Sequence, residues 1–459
     1  MSKKNWLFFV TVVLILGLNS LAVADDTRTS GLYTYTIKGN GTITITHFDW
    51  VNNSGTIYVP SMIDGYTVTG IGNNAFDADD ISTYMEPVII VLPETLTSIG
   101  SKAFYEAPII SIDIPSSVQS IGEGAFAKSK VSKFGVAPHH EYFAVIDGVL
   151  YEKRTKKLIA FPRNAESVES IPNGIVEIGA YAFADRTIKA SSMNTFLPES
   201  IVTIGDYAFQ NTCFNVDEGK WEIKAKTVGD YAFESISYYG GSPVEITVNA
   251  ETVGKYAFAD IYLSHIVSNY KLVVGNKVKS IGDYGFAATS ETLYRRTPID
   301  YSTAENLQTI GKYAFSNNRI ERSSSGDILP HGMSELPEGV FENALSGENW
   351  LHAQESIIIP DSVTVIGERA FANNPKIKEI VLSEGLLEIG SCAFTGCESL
   401  KSIVIPNSVQ SIQTDSFDRS SVVFIVTPGS YIEFWAKENG FTYKYTSEES
   451  ADDLSWLNN

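Results

Sequence analysis

Ile366-Gly-Glu-Arg-Ala-Phe371, Ile389-Gly-Ser-Cys-Ala-Phe394 and Ile412-Gln-Thr-Asp-Ser-Phe417 end three consecutive segments near the C-terminus, their phenylalanines spaced 23 residues apart. The same Ile-Gly-x-x-Ala-Phe hexad runs back through the chain. It ends on Phe76, Phe104, Phe126, Phe183, Phe209, Phe233, Phe258, Phe286 and Phe315, with a degenerate copy ending on Phe341. That makes 13 copies, mostly 22 to 30 residues apart. A period of this length is one coil of a solenoid, because a unit so short buries no core alone and is stabilised only by equivalent residues above and below it.

Each hexad is preceded by an extended segment with alternating apolar residues, such as Ile377–Leu382 (IKEIVL), Leu400–Pro406 (LKSIVIP) and Ile109–Pro115 (IISIDIP). Such segments stack as a parallel sheet. Pro93, Pro115, Pro172, Pro198, Pro360 and Pro406 fall where many of these strands end, since proline has no N–H to continue the ladder. The hexad glycine suits a corner with close backbone approach. The Ala-Phe that follows is expected on a short turn or a single helical turn, with the phenylalanines forming one column through the core. Strands about 4.8 Å apart give thirteen coils a length of roughly 60 Å.

The fold expected is therefore a β-rich α/β solenoid, a right-handed superhelix of leucine-rich type, over residues 59–420. Residues 25–58 (Tyr33–Ile37, a Lys38-Gly-Asn-Gly41 turn, then Thr42–Ile45) read as an N-terminal β-hairpin cap. Residues 421–446, with Tyr431–Asn439 helical before Gly440, read as a C-terminal helical cap. The long interval from Phe126 to Phe183 leaves room for an insertion at about 138–165, and residues 447–459 read as a disordered acidic tail. Residues 1–24 read as a signal peptide: Lys3 and Lys4, an apolar run Leu7–Leu18, and Ala22-Val23-Ala24 before Asp25. The run is short for a membrane anchor, which needs about 20 apolar residues, and no later segment is apolar enough to span.

Composition narrows the function. Hydrophobic residues are 44% and charged residues 19% of the chain, which suits a packed core and not a disordered chain. Without residues 1–24, two of 34 basic residues are lost against 54 acidic ones, giving 32 − 54 = −22. Nucleic acid and anionic lipid are disfavoured as partners, since both are neutralised by Lys and Arg. Three cysteines make no disulfide framework, and Cys213 and Cys397, just after their repeat phenylalanines, are expected to pack in the core.

The coil pattern I-x-I-P-x-x-V-x-x-I-G-x-x-A-F, present as IIIPDSVTVIGERAF (Ile357–Phe371) and IVIPNSVQSIQTDSF (Ile403–Phe417), resembles the BspA-like bacterial leucine-rich repeat proteins. The resemblance covers roughly residues 30 to 445. Tyr142–Pro162 looks like the hairpin these proteins carry between coils, and SYIEFWAKENGFTYKY (Ser430–Tyr445) like their closing segment. It implies a secreted or surface protein associated with adhesion to host matrix, host cells or other bacteria. It carries over no catalytic or binding residues. The irregular coils between Phe286 and Phe371 depart from the pattern.

Searching for chemistry finds no G-x-S-x-G elbow, H-E-x-x-H, P-loop or G-x-G-x-x-G, so neither catalysis nor a cofactor is expected. His139 and His140 read as a surface loop of the insertion. Asp77, Asp79 and Asp80 lack the glycine and distal glutamate of an EF-hand and read as a solvated connection. LPETL (Leu92–Leu96) and LPESI (Leu197–Ile201) have the look of sorting-signal fragments but are internal strand ends. The most suggestive feature is tyrosine before Ala-Phe or Gly-Phe in six successive hexads: Tyr181, Tyr207, Tyr231, Tyr256, Tyr284 and Tyr313. Stacked one coil apart, they form either a structural ladder or an aromatic strip that binds an extracellular protein or glycan. The basic pair Arg295 and Arg296 marks a second candidate, in the irregular loops at about 289–356. The two function classes left are an adhesive, ligand-binding solenoid and a self-associating envelope scaffold.

Overall fold

The computed structural model describes residues 26–50, 55–79, 86–163, 169–217, 219–239, 244–263, 270–289, 297–320, 333–345 and 355–446. The expected signal peptide and acidic tail, together with Arg295 and Arg296, lie outside them.

Each coil contributes a short strand ending on the first hexad residue, two residues long in all but the first, Tyr66–Ile71, and ending on Leu336 in the degenerate copy. These pair in parallel with no register shift, so Ile178, Ile204, Val228, Val253, Ile281 and Ile310 form one continuous row. A longer strand on the opposite side does the same: Trp221, Ile246, Leu272, Ile299 and Ile320 are in register. The first coils have two parallel sheets. From Thr187–Ala190 onward a third appears, built also from Cys213–Val216, Ser237–Tyr238 and Tyr262–Leu263. The coils ending on Phe371, Phe394 and Phe417 return to two.

The phenylalanine column is continuous where the repeat is regular. All thirteen hexad phenylalanines are at most 3% exposed, and from Phe183 to Phe417 consecutive rings stack 4.7 to 5.8 Å apart. The column contains two members that hexad spacing does not reveal. Phe48 stacks on Phe76 at 4.7 Å, and Phe161 lies 4.6 Å from Phe183, in the place the previous hexad would fill. Phe161 also takes the repeat's hydrogen bond, donating its N–H to Ala182 O as Phe183 donates to Ala208 O.

The interval between Phe126 and Phe183 divides the core. Buried apolar residues fall into two clusters, Tyr35 to Ala160 and Val149 to Phe441, which interleave only in the insertion. There Phe143–Ile146, Val149–Glu152 and Lys157–Ala160 pair antiparallel, and the last joins Glu177–Ile178 in parallel. Arg186 spans the divide. Its side chain is 5% exposed and donates from Nε to Phe161 O and from Nη2 to Ser129 O, both at 3.1 Å. Burial pushes its pKa down to about 10.

Two expectations are corrected and one alternative is decided. Helix is scarce: among the described residues only Met193–Phe196 and Tyr431–Glu438 are helical, so the solenoid is β, not α/β. The Ala-Phe segments are turns, because the residues flanking them take left-handed φ and pass their N–H groups to the next coil instead of to their own turn. His140 is not on a surface loop but buried at 3% exposure. Its Nε2 faces Pro115 O at 2.9 Å, and Nδ1 accepts from Tyr142 N and Phe143 N, tying the insertion to the preceding coil. Of the cysteines, Cys397 is buried while Cys213 is only partly so.

At the N-terminus Asp26–Ser30, Tyr33–Ile37 and Thr42–Phe48 pair antiparallel, and the last begins the parallel stack. At the C-terminus the helix Tyr431–Glu438, capped by Ser430, lays Ile432, Trp435 and Ala436 against the end of the core. No helix among the described residues is long and apolar enough to cross a membrane.

Replacing Phe233 with Ala removes a ring packed between Phe209 and Phe258 and is expected to destabilise by about 3–5 kcal/mol. The thermal midpoint measures this, and an unchanged midpoint contradicts the column. His140→Ala removes the acceptor of the Tyr142 and Phe143 N–H groups and leaves Pro115 O with Val118 N alone, and is expected to cost about 1–3 kcal/mol by the same measurement.

Candidate functional site

The tyrosine corner is built by hydrogen bonds running both ways along the solenoid. The hexad glycine donates back, as Gly229 N does to Ile204 O at 2.8 Å. It must be glycine, because a Cβ there would lie 2.7 Å from Asp206 N and 2.8 Å from Gly205 C. The next residue ties the coils through its side chain: Asp206 Oδ1 accepts from Asp230 N, Asp230 Oδ1 from Lys255 N and Asp283 Oδ1 from Lys312 N, at 2.8 to 2.9 Å. The tyrosine then donates forward, Tyr207 N to Asp230 O and Tyr231 N to Lys255 O, both at 2.8 Å.

Forward donation requires a reversal of the chain, and all six tyrosines take φ between 53° and 59°. This left-handed conformation costs a residue with a Cβ roughly 1–2 kcal/mol. Stacking offsets it. Successive ring centroids are 4.6, 4.7, 4.8, 4.6 and 5.1 Å apart, with planes within 10° of parallel, and such pairs are worth about 0.5–1.5 kcal/mol beyond their burial. The equivalent corner elsewhere is Asn74, Lys102, Gly124, Gly339, Arg369 or Cys392, each also at positive φ, and Asp415 in the last hexad, which is not.

Glycines bracket the ladder. Gly124 has φ +60°, and a Cβ on it would lie 2.9 Å from Tyr181 Cδ2; one on Gly339, at φ +59°, would overlap the Tyr313 ring. Because the rings cover each other's faces, the strip presents edges and hydroxyls. The Tyr313 hydroxyl donates to Glu338 Oε1 at 2.8 Å. The hydroxyls of Tyr181, Tyr207, Tyr231, Tyr256 and Tyr284 have no protein partner among the described residues. Their rings are half-buried, so the row is open along one edge. Mixed charges flank it, with Lys255 paired to Asp283 at 3.7 Å and Lys312 to Glu338 at 2.8 Å.

Burial is the main cause of a raised pKa at four rungs. It pushes Tyr207 up to about 12, with Tyr181 and Tyr231 adding to the shift. Tyr256 and Tyr284 are raised for the same reason, and Tyr313 more strongly because of its bond to Glu338. Glu338 is held low, first by the Lys312 ammonium and then by the Tyr313 hydroxyl.

At the N-terminal end of the ladder a cleft of about 510 Å³ opens beside Tyr181, lined by Asn73, Asn74, Lys102, Glu123, Asp206 and Tyr207 among others. Lys102 Nζ lies 4.9 Å from the Tyr181 ring centre. Glu123 is anchored by Lys157, which also pairs with Glu177 at 2.8 Å. A larger cleft, about 650 Å³, lies around Lys189, Asn215 and Asp217 and has no aromatic wall. Among the described residues no group of three or more His, Cys, Asp or Glu is placed to hold a metal ion. Asp79 N bonds to Asp77 Oδ1, and Asp80 lies outside the described residues.

The hexad sequences made the tyrosine row legible. The bracketing glycines and the cleft were not legible, because nothing local shows that Phe161 continues the core column while no residue continues the tyrosines. The dipeptide Ala160-Phe161 was the available signal.

The repeat profile described as a BspA type leucine rich repeat region (6 copies) matches residues 42–170, 159–291, 268–350 and 347–444. The chain belongs to the BspA-type leucine-rich repeat family. Similar solved structures include a leucine-rich cell surface protein of Faecalibacterium prausnitzii, at 19% identity over 93% of this chain and 96% of that one, TM-score 0.36. A leucine-rich repeat protein of Bacteroides ovatus matches at 17% identity over 91% and 99%, TM-score 0.36. The pneumococcal vaccine antigen PcpA matches at 15% over 93% and 99%, TM-score 0.30. No curated protein matches. Within the BspA-type coil, the tyrosine occupies a corner that this chain fills in six other ways, so the six-tyrosine run is a feature of particular coils and not of the repeat as such.

Two outcomes are expected. Gly339→Ala combines positive φ with a clash against Tyr313 and is expected to destabilise by about 1–3 kcal/mol in thermal unfolding. Folded tyrosines with raised pKa hold protons that the unfolded chain releases, so their contribution is complete below the ordinary value of 10.0 and fades as pH climbs toward about 12. Thermal midpoints are therefore expected to fall across that interval, and phenolate absorbance of the native protein to rise later than that of the unfolded chain.

Proposed function

We propose that this BspA-type protein is exported, acts at the cell surface without catalysis, and binds an extracellular protein or glycan along the tyrosine edge. The observation that carries this is the row of unpartnered phenol hydroxyls on a rigid scaffold. Five consecutive coils hold left-handed corners to keep them aligned, and a purely structural ladder has no use for open hydroxyls. Repeat arrays present such continuous surfaces, because each coil adds one increment to the same face, and tyrosine is enriched where proteins bind. The net charge of −20 disfavours nucleic acid. Export rests on the first 24 residues. In this reading the N-terminal antiparallel strands and the C-terminal helix are caps that shield the solenoid's ends from edge pairing.

A second reading, lateral self-association as an envelope scaffold, is favoured by one feature. Tyr58, Ile89, Val91 and Ile110 are exposed together on the outer face of the first coils.

Purified protein is to be tested on an array of matrix proteins, mucins and glycans beside a variant with Tyr207, Tyr231 and Tyr256 as Ala. The expected result is saturable binding by the native chain and its loss in a variant that remains folded. Binding that survives in the variant moves the site off the ladder. Concentration-dependent oligomers with no array binding favour the scaffold.

A further inference from the structure

The chemistry of the ladder's partner can be narrowed, on the premise that the tyrosine edge is the binding face. Aromatic binding sites ordinarily offer ring faces, to a cation or to a sugar's C–H groups. Here each internal face is covered by its neighbour at 4.6 to 5.1 Å, leaving hydroxyls and ring edges. A cationic peptide is therefore poorly served along the row. The fitting partner carries hydrogen-bonding groups in a straight line at the pitch of the coils. An extended polypeptide does not, because its residues advance about 3.3 Å each. An extended β-1,4-linked glycan does, since its successive rings repeat at nearly the ladder's interval and each carries hydroxyls that both donate and accept.

The cleft supplies an end to such a chain. Gly124 ends the ladder, since its backbone lies against Tyr181 with no room for a Cβ, and the row of rings stops there. The gap beside Tyr181 is within the size range of ligand sites, roughly 300–1,000 Å³. Its polar groups are of mixed sign, the Lys102 ammonium opposite the Glu123 and Asp206 carboxylates, together with the Asn74 amide. Such a set suits a neutral polyhydroxyl ligand better than a charged one. We propose that a neutral, extended β-1,4-linked glycan lies along the solenoid axis on the hydroxyls of Tyr181 to Tyr284, its terminal sugar seated in the cleft beside Tyr181.

The test is calorimetric titration of the full chain with β-1,4-linked glucose and N-acetylglucosamine oligosaccharides, in a length series from the disaccharide to beyond the ladder's length. Two variants run alongside: Tyr181→Phe, and one with Tyr181, Tyr207, Tyr231, Tyr256 and Tyr284 all replaced by Phe, which keeps the rings and removes only the hydroxyls. The expected result is affinity that rises with length until the ladder is covered and is insensitive to salt. Tyr181→Phe is expected to weaken binding by about 2- to 10-fold, the worth of one hydrogen bond, and the five-fold variant to abolish it. Length-independent affinity, or native affinity in a folded five-fold variant, overturns the proposal. Absence of binding by both sugar series, with a matrix protein or cationic peptide still bound along the ladder, overturns the glycan assignment while sparing the tyrosine face. Absence of every partner overturns both.

Discussion

Parallel in-register stacking of coils is the constraint on which this structure depends. Once the hexad isoleucines are paired, every other position in the coil lies one strand spacing, about 4.8 Å, from its own equivalent. A residue is then selected chiefly for how well it packs against a copy of itself. Phenylalanine stacks on phenylalanine, tyrosine on tyrosine, and aspartate accepts the next coil's N–H at the same corner. Buried polar residues obey the rule too. Thr212, Asn318 and Asn374 follow their phenylalanines at one position, and each bonds to the phenylalanine carbonyl of the coil before.

Stacking also explains how a bulky residue persists in a left-handed corner. Isolated, such a conformation favours glycine, and at Gly124 and Gly339 glycine is what the chain uses. Between them the strain at each corner is shared against two ring contacts, so the ladder is self-consistent in its interior and weakest at its ends. There the terminal rings find other partners: Lys102 and Tyr105 against Tyr181, and Glu338 for the Tyr313 hydroxyl.

The solenoid was legible because its determinants are periodic: thirteen hexads state the coil length, the core column and the tyrosine row. What stayed hidden is what breaks the period. Phe48 and Phe161 sit in the column without the Ile-Gly that precedes the others. His140 looked solvated beside His139 and Glu141, but its ring faces Pro115 of the preceding coil, and sequence proximity says nothing about that contact. Whether Ala-Phe forms a short turn or a helical one was not legible, because hydrogen bonds to the next coil decide it and a single coil's sequence cannot express them. The third sheet of the middle coils follows from their greater length, but the bend that creates it carries no motif.

The division of the core at the insertion bears on how damage spreads. In a one-dimensional array a lost coil exposes its neighbour, and fraying runs along the stack like a dropped stitch. Here the run meets a seam, where apolar contact between the two clusters narrows to a few insertion residues and the buried guanidinium of Arg186. A protease that opens the first coils therefore reaches a natural stopping place at the insertion, where the stack from Phe183 onward keeps its own core while Tyr181 loses Lys102 and Tyr105 from its outer side.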